Sequence, residues 1–197
     1  RGGSKGIAKK NMALLDGKPL IDYTIDAARK SQQLSEFFVS TDSADIAEHC
    51  TKTGVWVPAL RPPELATDSA RIQDTVRYAL RSWLKTKAYK YVMLLQPTAP
   101  FRTSQDIDEV ILLADRHDAD SVVSFTVEET KHPYNMYYVN LSDDTTGINK
   151  LNPVVRYTVG TPRQEFPSCV YRNGAIYMVK MDVFLEQDVF ITSSVVP

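Results

Sequence analysis

Tyr91-Val92-Met93-Leu94-Leu95-Gln96-Pro97-Thr98-Ala99-Pro100-Phe101-Arg102 is the stretch on which the fold turns. Five apolar residues in unbroken succession suit a strand covered on both faces, because a strand with one wet face would alternate. That strand runs directly into a proline-marked polar turn, Gln96-Pro97-Thr98, where a central strand has to stop. On its N-terminal side Ile72, Val76, Ala79, Leu80, Trp83 and Leu84 recur at helical spacing. On its C-terminal side Ile107, Val110, Ile111 and Ala114 do the same, with Ser104 placed to cap them, and residues 121–126 read as another strand. Strand and helix in alternation predict a mostly parallel sheet with helices on both faces.

Further toward the N-terminus, Asp16-Gly17 forms a turn and Pro19 stands at a first helical position. Leu20, Tyr23, Ile25, Ala27 and Ala28 predict a helix ending near Gln33. Residues 37–41 read as a buried strand, Asp42-Ser43 as the cap of a helix over residues 44–52, and residues 55–57 as a short strand. An irregular run with Arg61-Pro62-Pro63-Glu64 follows. Toward the C-terminus the rhythm breaks at Val127. Residues 127–172 alternate and are rich in aromatics (Tyr134, Tyr137, Tyr138, Tyr157, Phe166, Tyr171), which predicts a β-rich arm. Such an arm is marginal in water unless its apolar face is covered, so it is expected to serve dimerisation. Residues 175–179 return to the sheet, and a short helix starts at Met181. The expected architecture is a single α/β domain over residues 1–197, Rossmann-like, with residues 127–172 as the arm within it.

The 23 Lys and Arg balance 24 Asp and Glu, for a net charge of -1, which argues against a nucleic-acid binder. Two cysteines, Cys50 and Cys169, imply no disulfide framework and suit a reducing, cytoplasmic setting. No apolar run approaches membrane-spanning length. The chain opens on a loop of the kind that follows a strand and closes without a terminal element, so a strand before Arg1 and a segment after Pro197 are expected.

That opening loop, residues 1–11, combines Gly2, Gly3 and Gly6 with Ser4 and with Arg1, Lys5, Lys9 and Lys10. Glycines let the backbone approach a ligand closely, and successive N–H groups can form a concave anion site. The composition suits a triphosphate, and equally a solvated basic turn. It is neither a Walker A loop nor the G-x-G-x-x-G dinucleotide fingerprint, which disfavours an oxidoreductase.

Five segments in order, RGGSKGIAKKN (1–11), VSTD (39–42), RPPELATD (61–68), LLQPTAPFR (94–102) and RNGAIY (172–177), resemble the CMP-sialic acid synthetases, the acylneuraminate cytidylyltransferases. The resemblance implies transfer of CMP from CTP to a nine-carbon sugar acid, with Mg²⁺ as cofactor and a homodimer whose subunits complete each other's sugar pockets. It makes Arg1, Gly3, Ser4, Lys5 and Lys10 the triphosphate loop and Asn11 a nucleoside contact. Arg61 is then placed near the cytosine, and Arg1 and Lys10 stabilise the leaving pyrophosphate. Gln96, Thr98, Asn173 and Tyr177 become sugar-acid contacts, and Arg163 a partner for the substrate carboxylate. His132 and Cys50 read as structural.

Where the related Kdo enzymes carry Q-G-D-E-P, this chain has Gln96-Pro97-Thr98-Ala99-Pro100, which favours a sialic-like substrate over Kdo. Asn135 stands where some members have a Lys, so the sugar's substituents stay open. The Asp pair that holds Mg²⁺ in the family is expected beyond Pro197, and no metal ligand is assigned; Asp42 and Asp68 are auxiliaries at most. The alternative is a non-catalytic nucleotide- or sugar-binding module of the same fold.

Overall fold

Asp16 and Gly17 take left-handed φ values of 49° and 75°, and this closes a two-residue hairpin between β1 (Leu14–Leu15) and β2 (Lys18–Pro19). α1 (Leu20–Lys30) follows, with Pro19 as its N-cap rather than its first residue. It stops three residues short of Gln33 for a tertiary reason. Asp108 accepts hydrogen bonds from Ser31 Oγ (2.5 Å) and from the backbone N–H groups of Gln32 and Gln33 (both 3.0 Å), which pulls the chain out of helical geometry at Ser31. The structure, a computed structural model, describes residues 3, 6–83, 88–128, 130–140, 150–156 and 160–197. Its contacts cluster into two units, Arg1–Ser124 with Gly174–Pro197, and Phe125–Asn173.

In the first unit α2 (Ala44–Lys52) is capped by Ser43, whose Oγ accepts from Ile46 N. α3 (Ile72–Trp83) precedes β3 (Tyr91–Leu95). α4 (Ser104–His117) begins at Ser104, the residue expected from the sequence to cap it. Thr103, not Ser104, forms a capping box with Asp106, because both the Thr103 hydroxyl and the Asp106 carboxylate close on backbone N–H groups. β4 (Ser121–Glu128), β5 (Tyr137–Asn140), β6 (Lys150–Pro153), β7 (Cys169–Lys180), α5 (Met181–Gln187) and β8 (Val195–Val196) complete the order.

The main sheet runs β3-β7-β4-β8, with β3 antiparallel to β7 and β4 parallel to β8. It is a mixed sheet in an α/β fold. β7 returns from the intervening unit, and such a long connection leaves its direction unconstrained by the helical crossovers that enforce parallel strands. Residues 37–41 and 55–57 form no ladder; one parallel bridge, Thr41 to Leu60, and a bond from Val39 N to Trp56 O (3.0 Å) join this region.

Alternation along β3 sends its side chains into two helical layers. Met93 and Leu95 pack with Ala27 of α1 and Ile107 of α4, while Val92 and Leu94 pack with Val76 and Leu80 of α3 and Phe184 of α5. A third cluster joins Ile21, Ile25, Ile46, Cys50 and Val55. Burial there pushes the Cys50 thiol up to about 11, with the charge of Asp22 adding to it, so this cysteine is a neutral core residue.

In the second unit β5 and β6 pair as an antiparallel hairpin, Tyr137 opposite Pro153 and Asn140 opposite Lys150. His132 is its structural hub. Its Nδ1 accepts from Tyr134 N (3.1 Å), which leaves Nε2 protonated to face Pro167 O (2.9 Å) and Cys169 Sγ (3.0 Å). The Tyr134 ring meets it edge-on and the Phe166 ring at a tilt, each with its centroid 4.7 Å away.

Candidate active site

A cavity of about 810 Å³ in the first unit runs along β3 and residues 37–41 and extends past the carboxyl end of β3 to Gln96 and Thr98. Gly3, Lys10, Asn11, Arg61, Gln96 and Thr98 all line it. Six sequence-selected residues from three separate stretches thus meet at the place where an open α/β sheet binds ligands. Each is positioned by a local device.

Lys10 and Asn11 sit in a 3-10 turn, Lys10–Met12, that opens with Lys9 in the left-handed region (φ 48°). Lys9 itself turns away to pair with Asp45 at 2.6 Å, so of the two adjacent lysines Lys10 is the one at the cavity. Among the described residues, a Cβ added at Gly3 or Gly6 would meet no atom within 4 Å, so none of them imposes either glycine by packing.

Arg61 is fixed by its own chain. Its backbone N donates to Thr41 O (2.7 Å), Nε to Ser40 Oγ (3.2 Å) and Nη2 to Ser40 O (2.7 Å). The pre-proline guanidinium is thereby locked onto the end of residues 37–41 instead of waving in solvent as a turn arginine would.

The Gln96-Pro97-Thr98 turn is held from beneath by Arg102, only 6% exposed. Arg102 Nη2 donates to Thr24 Oγ1 (2.7 Å) on α1; Nη1 donates to Ala175 O (2.5 Å) on β7 and to Gln96 O (3.3 Å). All three acceptors are uncharged, and Nε, also buried, has no partner among the described residues. Desolvation accordingly pushes Arg102 down to about 10, against the opposing charge of Asp106. The motif string LLQPTAPFR contained this residue, but nothing local marked it as a buried tie. Gly174 supports the same turn from β7: it sits at φ 78°, and a Cβ there would lie 3.5 Å from Gln96 Oε1.

Arg1, Ser4 and Lys5 lie outside the described residues. Tyr177 packs with Val179 and Phe184 in the α3–α5 layer. Arg163 begins a 3-10 turn, Arg163–Glu165, and Asn173 Nδ2 donates to Thr126 Oγ1 (3.1 Å); both belong to the Phe125–Asn173 unit.

Among the described residues no group of three or more His, Cys, Asp or Glu side chains is placed to hold a metal ion. Two D-x-D spacings are occupied otherwise. Asp106 and Asp108 tie helix ends, and Asp118 and Asp120 pair with Lys180 at 3.1 and 3.0 Å. These residues do not by themselves make a Mg²⁺ site. Nor is any helix among the described residues long and apolar enough to cross a membrane.

Residues 1–188 match the sequence profile of the Cytidylyltransferase family. The chain belongs to that cytidylyltransferase family. An N-acylneuraminate cytidylyltransferase of Streptococcus agalactiae serotype V is 38% identical over 195 residues, covering 98% of this chain and 45% of the relative. A CMP-N,N'-diacetyllegionaminic acid synthase of Campylobacter jejuni is 32% identical over 193 residues, covering 95% of this chain and 77% of that protein. The cytidylyltransferase chain thus spans about half the length of the streptococcal relative. Its fold is similar to that of a solved CMP:2-keto-3-deoxy-manno-octonic acid synthetase in complex with CTP. That match has a TM-score of 0.68 at 14% identity and covers 95% of this chain and 73% of the other.

Proposed function

We propose that the protein carrying this chain transfers CMP from CTP to the anomeric hydroxyl of a sialic-acid-like nine-carbon sugar acid and releases pyrophosphate. The observation that carries the reading is the convergence of Gly3, Lys10, Asn11, Arg61, Gln96 and Thr98 on one cavity at the strand ends. The names of the streptococcal and Campylobacter relatives place them on sugar acids of this class.

The sugar hydroxyl attacks the α-phosphorus and gives up its proton to water, its oxygen forms the new P–O bond, and the bond to the bridging oxygen of pyrophosphate breaks. Negative charge grows on that leaving group, and Lys10, with Arg1, meets it; a cation held in place before reaction needs no reorganisation at that moment. Asn11 and Arg61 hold the nucleoside. Arg61 is suited to discriminate because its guanidinium is pinned by Ser40 and does not adapt to another base. Gln96 and Thr98, on the turn braced by Arg102, orient the sugar acid. Positioning supplies much of such a rate, and a covalent intermediate is not needed.

Mg²⁺ would supply charge neutralisation on the phosphates when bound; no group of three or more His, Cys, Asp or Glu among the described residues is placed to hold it. The finer fold reading is a Rossmann-like sheet in which residues 37–41 join on the β3 side. The Phe125–Asn173 unit exposes Tyr137, Tyr138, Val139, Leu151, Val170 and Tyr171, each half or more accessible in the single chain. An apolar surface of this kind supports the homodimer. A cytoplasmic location follows from the nucleotide substrate.

The test is product identity. CTP and N-acetylneuraminate should yield pyrophosphate and one species whose phosphorus resonance and mass are those of a CMP–sugar phosphodiester. CTP turnover to CDP or CMP without that species contradicts the reading.

A further inference from the structure

α1 buries one face, and on that face Thr24 is the polar exception. Ile21, Ile25, Ala27 and Ala28 are buried around it, and Thr24 itself is 9% exposed. A β-branched hydroxyl residue is a poor choice inside a helix unless its oxygen is used. The ordinary use is local: Thr51 of α2 donates to Ala47 O, four residues back, at 2.9 Å. Thr24 is engaged differently. Its Oγ1 accepts from Arg102 Nη2 at 2.7 Å, across 78 residues of chain.

The partner gives that bond its consequence. Arg102 is a rigid planar fork, and the same fork holds Gln96 O and Ala175 O through Nη1, at 3.3 and 2.5 Å. Without the Thr24 oxygen, Nη2 has no acceptor among the described residues, and a buried donor left unmet is costly. The guanidinium then has to shift, and Nη1 shifts with it, away from the carbonyl under the Gln96 turn. That turn is lightly tied, by Ala99 N to Gln96 O and Arg102 N to Ala99 O, both at 3.3 Å. On its other side the Gln96 amide lies close to Gly174, where an added Cβ would sit 3.5 Å from Oε1. A small tilt of the turn therefore moves the Gln96 side chain within the cavity that it lines with Thr98.

We propose that Thr24 is a positioning residue, which through Arg102 sets where Gln96 and Thr98 stand in the cavity. Its bearing on the reaction rests on the reading of those two residues as sugar-acid contacts. The signature is selective. Handling of the sugar acid suffers, while CTP, assigned to Lys10, Asn11 and Arg61 on other segments, is handled as before.

The test uses the full protein and three variants. Thr24→Val keeps the shape and loses the hydroxyl, Thr24→Ala runs beside it should Thr24→Val not fold, and Thr24→Ser restores the oxygen. Without ligand, amide exchange at Ala99 and Arg102 should quicken at least about tenfold in Thr24→Val and Thr24→Ala, with Val179 in the sheet unchanged and Thr24→Ser near the parent. With CTP and N-acetylneuraminate, Thr24→Val and Thr24→Ala should lose about 10–10²-fold in kcat/KM for the sugar acid, and KM for CTP should stay within about twofold of the parent. In a Gln96→Ala background, Thr24→Val should cost little more. Parental exchange in Thr24→Val and Thr24→Ala overturns the inference. So does a Thr24→Ser as impaired as Thr24→Val, or a loss of the same size in the Gln96→Ala background. Exchange that responds as expected in a protein that makes no CMP–sugar upholds Thr24 as the holder of the turn and removes the sugar-acid assignment instead.

Discussion

Arg102 is a cation kept inside the first unit by three uncharged acceptors, one on each of α1, β7 and the Gln96 turn. Replacing it by methionine strands all three acceptors, and Arg102→Lys cannot reach them from one fork. Both variants should lose about 2–4 kcal/mol in denaturant unfolding, since each unpaired buried group costs about 1–3 kcal/mol. Unchanged stability would show that the turn stands without its brace. Cys50 supports a second expectation at this scale. Its folded thiol is raised from 9.0 to about 11, so the unfolded chain ionises first as pH rises. The contribution is complete below pH 9 and is lost between 9 and 11, at most about 3 kcal/mol. Cys50→Ala, less stable at neutral pH, should show a flatter fall in melting temperature across that window. An identical slope would remove the thiol from the account.

Among the elements, α4 separates two neighbouring hydroxyls. Thr103→Ala should destabilise by about 1 kcal/mol through loss of the capping box, whereas Ser104→Ala should stay within about 0.5 kcal/mol. Urea titration measures both, and a reversed order would return the cap to Ser104. The helices were legible in the sequence because their apolar period and caps are local properties, and α2 to α5 begin within a residue of where the pattern puts them. The end of α1 was not, since Asp108 captures it from 75 to 77 residues away in the chain. Strand direction was equally invisible. Nothing in residues 175–179 distinguishes a parallel partner of β3 from an antiparallel one, and the structure makes it antiparallel. Of the candidate site, the residue types at the strand ends were readable from motif order. The devices that hold them, Ser40 under Arg61 and Arg102 under Gln96, are contacts across 21 and 6 residues that only the folded chain makes.

At the scale of the whole molecule, assembly and chemistry are tied together. The exposed Tyr137, Tyr138 and Leu151 should be covered in a two-fold homodimer, and light scattering at micromolar concentration should return twice the subunit mass. A monomer with full activity would contradict that part of the proposal. Chelation by EDTA should abolish pyrophosphate release and added Mg²⁺ restore it, while release indifferent to EDTA would exclude the ion. The most direct measurement is pyrophosphate release from CTP, UTP, ATP and GTP in turn, with N-acetylneuraminate and Mg²⁺, for the full protein and its Lys10→Ala variant. CTP should be favoured by at least ~10²-fold, and Lys10→Ala should lower turnover on CTP by about 10²–10³-fold. Equal rates with UTP or ATP, or a Lys10→Ala variant as fast as the parent at saturating CTP, would contradict the account.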